Sequence, residues 1–162
     1  LVALLSEGVR QREAAAEYLR ELRDERCIPY FGQQLETITH WRGAFMAQEL
    51  GEIGTPEAVA VLIKALSRDT SHVRRGAVRG LRKAQDPAAI GALIQCLHDE
   101  DRKVRSLAGE ALIDMGGPAA EALESALQEG RFRGKSQQAL ACDVLDKIRA
   151  RQETEEQGQI CR

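Results

Sequence analysis

The chain has 162 residues, 43% hydrophobic and 30% charged, which suits one soluble, folded domain. Its 25 acidic and 23 basic side chains leave a net charge of −2, excluding a global field that would draw it to nucleic acid or anionic lipid. No apolar run approaches the ~18 residues of a membrane span, and the four cysteines (Cys27, Cys96, Cys142, Cys161) form no CxxC pair, so a reducing cytoplasm is expected.

In chain order, Leu1–Gly8 reads as a truncated second helix that caps the chain, and a start at Leu1 rather than Met is what a piece of a longer protein would show. Val9–Arg23 is predicted as an amphipathic helix, with Ala15, Ala16, Leu19 and Leu22 on its apolar face. The turn after it is irregular: Pro29 falls four residues late, and the helix that follows should be short. Tyr30, Phe31 and Trp41 gather there, and plugging the gap left by the short helix is favoured over an exposed binding anchor.

From Trp41 onward the chain repeats. Val73, Arg74, Ala77, Leu81 and Pro87 lie 31 residues before Val104, Arg105, Ala108, Leu112 and Pro118, while Met46, Leu50 and Pro56 lie 31 residues before Ala77, Leu81 and Pro87. A fixed period of this size marks a solenoid, whose units cannot bury their apolar faces alone. Each unit should hold two helices joined at a Pro: Thr55–Pro56, Asp86–Pro87 and Gly117–Pro118 would start the second helices. The last unit drifts to a spacing of 33, matching Leu140, Ala141, Val144, Leu145 and Ile148 to Leu107, Ala108, Ala111, Leu112 and Met115. The expected organisation is a solenoid over residues 1–148, with repeats at about 9–40, 41–72, 73–103 and 104–134. A capping helix at 136–150 and, at 151–162, a polar tail or frayed helical end complete it. The fold class is all-α: a right-handed superhelix of about four antiparallel helix pairs with incomplete ends. The open end after Ile148 makes end-to-end self-association an expected property.

The segments VRRGAVRGL and VRSLAGEAL, with the GEIGTPEAV connection, resemble the short bacterial HEAT-type repeats known as phycobilisome-lyase HEAT-like. That resemblance implies an adaptor or scaffold more often than an enzyme. It also implies a ladder in which the Arg of each Val-Arg pair joins an Asp of a neighbouring turn, here Arg74 and Arg105 with Asp69 and Asp101. Gln11/Arg12 and Arg42/Gly43 stand at the earlier positions, so the ladder should not extend to them.

Two surfaces are candidates for binding. The second helices should expose Val61 and Lys64, then Gly91, Gln95 and His98, then Glu124 and Gln128, as a shallow concave trough for a protein or peptide. Arg75, Arg79 and Arg82, spaced by four and three, should form an outward basic stripe able to hold phosphates or an acidic partner. Solvation of that face, with pairing to Glu110 and Asp114 of the next repeat, is the simpler account. Nucleic acid is disfavoured because no aromatic residues are interleaved for base stacking.

No catalytic or metal-binding motif is found. His40, His72 and His98 are scattered, there is no GxSxG or P-loop, and Cys96 near His98 has no orienting partner. The reading is a cytoplasmic, non-catalytic protein-binding module without cofactor, metal or membrane. The resemblance leaves open a bilin-lyase-type enzyme subunit, or a nucleic-acid-binding protein like the HEAT-like glycosylases.

Overall fold

The computed structural model describes Tyr18, residues 25–37 and residues 41–160. The helix expected at Val9–Arg23, the cap at Leu1–Gly8, and His40 and Cys161 therefore lie outside the described residues, Tyr18 excepted. The fold is an all-α solenoid, and every described element is a helix. The chain divides into two units, residues 1–86 and 87–162.

In the first unit a 3₁₀ turn, Glu25–Cys27, leads into α1 (Ile28–Thr37). Pro29 sits in its first turn, where a missing N–H leaves no helical hydrogen bond unmade. Ile28, Phe31 and Leu35 recur at helical spacing and are buried. Phe31, 3% exposed, lies with its ring centroid 5.8 Å from that of Tyr30, so it fills the interior at the irregular turn. Helix α2 (Trp41–Ile53) ends at Gly54, whose φ of +67° is the left-handed conformation that closes a helix. Helix α3 (Pro56–Ala65) starts as its sequence indicates: Thr55 caps it by accepting from the Ala58 N–H, with Pro56 at the first helical position. Helix α4 (Ser71–Ala84) buries Val73, Ala77, Val78 and Leu81.

The approach of α2 to α4 is set by glycine. A Cβ on Gly80 would run into the Ala47 carbonyl oxygen and lie 3.0 Å from both Leu62 methyls; one on Gly76 would lie 2.7 Å from the Ala44 carbonyl oxygen. Gly51 faces the Gly80 backbone in the same way. Without side chains at these positions the two helices pack backbone against backbone.

The second unit opens with a 3₁₀ turn at Pro87–Ala89, and α5 (Ile90–Cys96) begins only after it. Asp86–Pro87 thus starts a 3₁₀ turn rather than repeating the Thr55–Pro56 cap. Asp101 caps α6 (Arg102–Met115), accepting from the Lys103 N–H at 2.7 Å and the Val104 N–H at 3.3 Å. Gly116, with φ of +66°, closes α6 and is also the N-cap of α7 (Gly117–Gln128), one residue earlier than the Gly117–Pro118 start expected. Helix α8 (Lys135–Ile160) buries Ala141, Val144, Leu145 and Ile148. It then continues without a break through residues that a polar composition assigns to a tail.

Leu50, Leu81 and Leu112, which share one register position, are all fully buried. Burying a leucine contributes roughly 1.5–3 kcal/mol, so this recurring position is a main source of stability. Cys27 and Cys96 are buried free thiols, whereas Cys142 is exposed.

Candidate partner-binding surfaces

The second helices of the first unit are α1 and α3, and a shallow groove of about 160 Å³ lies between them. Val61 and Lys64, both expected on the binding face, line it, with Gly32 opposite Val61: a Cβ on Gly32 would meet a Val61 methyl at 3.4 Å. Lys64 pairs across the groove with the Glu36 carboxylate, and Arg68 donates to the Glu36 carbonyl. The Lys64 hydrogen bond, and then its charge, hold the Glu36 carboxyl below the ordinary glutamate value.

In the second unit Gly91 and Gln95 on α5, and Gln128 on α7, are exposed. A Cβ on Gly91 would meet nothing within 4 Å. Glu124 accepts from Arg149 of α8 at 2.7 Å. His98, expected on the open face, is half-buried. Its ring stacks on Phe132, centroids 4.7 Å apart and planes 16° from parallel, and its Nε2 is buried with no hydrogen-bond partner among the described residues. The turn into α8 carries Phe132, so a residue in the irregular insertion draws the imidazole inward.

Of the basic stripe, Arg79 is exposed, whereas Arg75 and Arg82 are half-buried and engaged within the protein. Next to the stripe, Lys83 pairs with Glu52, one repeat back, and Asp114 pairs with Arg151 of α8 at 3.0 Å.

The arginines of the ladder positions act on main chain. Arg74 is only 6% exposed and donates through Nη1 to the carbonyls of Arg68 at 2.9 Å and Asp69 at 2.8 Å. Arg105 repeats this on Asp99 at 2.7 Å and Glu100 at 3.0 Å. Asp69 enters as a carbonyl acceptor, and Asp101 enters as the cap of α6. One period after Asp69 comes Glu100, not Asp101, whose counterpart is Thr70; the Asp69–Asp101 equivalence is one residue out of register. Each arginine closes the turn just before its own helix, occupying carbonyls that would otherwise lack donors.

A larger groove, about 530 Å³, lies between α6 and α8. Its origin is the seam between these helices. Where α4 presents Gly76 and Gly80 to α2, α8 presents Leu140 and Val144 to this groove, 33 residues after Leu107 and Ala111, the counterparts of those glycines. Leucine and valine thus stand where the α2–α4 seam has glycine, and Val144 reaches over Gly109, where a Cβ would lie 3.0 Å from a Val144 methyl. Sequence reasoning did not single out this groove, although the change of spacing from 31 to 33 was its visible signal. Among the described residues no group of three or more His, Cys, Asp or Glu side chains is placed to hold a metal, and no helix is long and apolar enough to cross a membrane.

The family described as HEAT repeats matches residues 42–112 and again 71–141, and the PBS lyase HEAT-like repeat matches residues 11–37. The chain is a HEAT-repeat protein of the phycobilisome-lyase type. A curated relative, the phycocyanobilin lyase subunit alpha of Synechococcus elongatus, is 35% identical over 97 residues, 56% of this chain. The aligned part is 33% of that relative, so the HEAT-repeat chain spans about a third of its length. Within the HEAT frame α2, α4, α6 and α8 are first helices of their repeats, and α1, α3, α5 and α7 are second helices. The groove at Val61 and Lys64 thus belongs to the second-helix face, and the larger groove belongs to the first-helix face.

Proposed function

We propose that this chain is a non-catalytic protein-interaction module that holds a protein or peptide against the exposed face of its second helices. The observation that carries this reading is the groove between α1 and α3, floored by Gly32 and Ala65 and flanked by Val61 and Lys64. Small side chains let a second backbone come close, and an ammonium–carboxylate pair at the rim offers both signs of charge. Gly91 and Gln95 on α5, and Glu124 and Gln128 on α7, give the second unit a similar low, polar surface. A face of this kind supports modest affinity, with specificity from shape and polar pairing. The free cysteines suit a reducing cytoplasm.

Affinity capture with quantitative mass spectrometry tests the proposal, comparing the parent chain with Val61→Glu and with Gly91→Glu plus Gln95→Glu. Proteins retained by the parent and lost from these variants, at unchanged thermal stability, are the expected result. Retention indifferent to both variants excludes the second-helix face.

The lyase relative supports a second reading, in which the chain is part of an enzyme subunit acting on a bilin. Titration with a linear tetrapyrrole, followed by absorbance, distinguishes the two. A saturable spectral change favours the lyase reading, and a spectrum unchanged at excess protein removes it.

A further inference from the structure

The groove between α6 and α8 plays no part in the function proposed above, yet its chemistry is selective. Its floor is apolar, made by Ile113, Leu140 and Val144, the last covering Gly109. The acids that line it are already engaged: Asp143 is held by Lys147 at 2.8 Å, and Glu110 has a partner within the protein. Arg102, exposed at the rim, has no partner among the described residues; neither have Arg133 and Lys135, which immediately precede the lining Ser136. Positive charge is therefore left over at the end of the groove where α6 and α8 begin; the Asp101 carboxylate already meets the α6 dipole, and the α8 dipole adds to the positive charge.

The lining on α6 runs from Arg102 to Ile113, about 17 Å of helix at ~1.5 Å per residue. That length suits roughly five residues of extended chain at ~3.3 Å each. A volume of about 530 Å³ leaves room for their side chains. We propose that this groove docks an extended acidic segment of a partner protein. One carboxylate pairs with Arg102, and a neighbouring apolar side chain lies against Ile113, Leu140 and Val144. The site is on first helices, so the HEAT repeats would offer two independent docking faces.

The test uses the full chain and two pools of fluorescein-labelled short peptides, identical except that Asp/Glu or Lys flanks one apolar position. Fluorescence anisotropy should show saturable, salt-weakened binding of the acidic pool and none of the lysine pool. Arg102→Glu should weaken the acidic pool about fivefold, as reversal of a rim charge does. Ser106→Trp, from an exposed position, should fill the groove and abolish binding, while Val61→Glu on the other face leaves it unchanged. Circular dichroism and thermal unfolding matching the parent exclude misfolding of the variants. Equal binding of the two pools, no binding of the acidic pool, or acidic-pool binding indifferent to both groove variants overturns the proposal.

Discussion

Adding one methyl group to either of two glycines should move stability in opposite directions. Gly80 and Gly91 both lie inside helices, α4 and α5. Glycine in a helix costs about 1 kcal/mol relative to alanine, because its unfolded chain has more freedom to lose. At Gly91 a Cβ meets nothing within 4 Å, so Gly91→Ala should recover most of that, roughly 0.5–1 kcal/mol. At Gly80 the new Cβ collides with the Ala47 carbonyl oxygen and sits 3.0 Å from Leu62 Cδ1 and Cδ2. A side-chain methyl can yield, but the Ala47 carbonyl belongs to α2, so the helix itself must shift. Overpacking against backbone costs about 2–3 kcal/mol, the upper part of the usual range, which outweighs the propensity gain and leaves Gly80→Ala about 1–2 kcal/mol less stable. Urea unfolding followed by far-UV circular dichroism should show the Gly91→Ala midpoint rising and the Gly80→Ala midpoint falling, and a thermal midpoint for Gly80→Ala lower by ~3–6 °C. If Gly80→Ala were as stabilising as Gly91→Ala, the backbone contact between α2 and α4 would not be what sets their spacing.

Two further predictions concern charged groups. Arg74→Lys keeps the charge but loses the long, planar guanidinium whose Nη1 reaches both the Arg68 and Asp69 carbonyls; it should destabilise by about 1–3 kcal/mol, read by chemical unfolding, while Lys103→Arg at an exposed site should be neutral. The Glu36 carboxyl, whose folded value lies below its ordinary 4.5 through the Lys64 hydrogen bond, should titrate by NMR below an unpaired glutamate, and Lys64→Ala should raise it. Because the folded value is the depressed one, the pair's contribution to stability is complete above pH ~4.5 and fades as pH falls through the folded value. Glu36→Gln should therefore flatten the acid side of the stability profile and leave neutral-pH folding nearly unchanged.

The amino-acid order alone determined that Leu50, Leu81 and Leu112 are interior, that Thr55 and Asp101 stand ahead of helices, and that the units are helix pairs of the HEAT type. These properties follow from the helical period and from capping chemistry within a few residues, so a one-dimensional pattern contains them. Tertiary structure decided what depends on pairs of residues distant in the chain. The glycines at 51, 76 and 80 bring α2 and α4 into backbone contact, whereas Leu140 and Val144 line a groove between α6 and α8. It also turned His98 onto Phe132 and directed Arg74 and Arg105 to main-chain carbonyls. An interaxial distance is the sum of two side-chain layers, and an arginine's long stem reaches many acceptors. Neither is set until the facing backbone is in place.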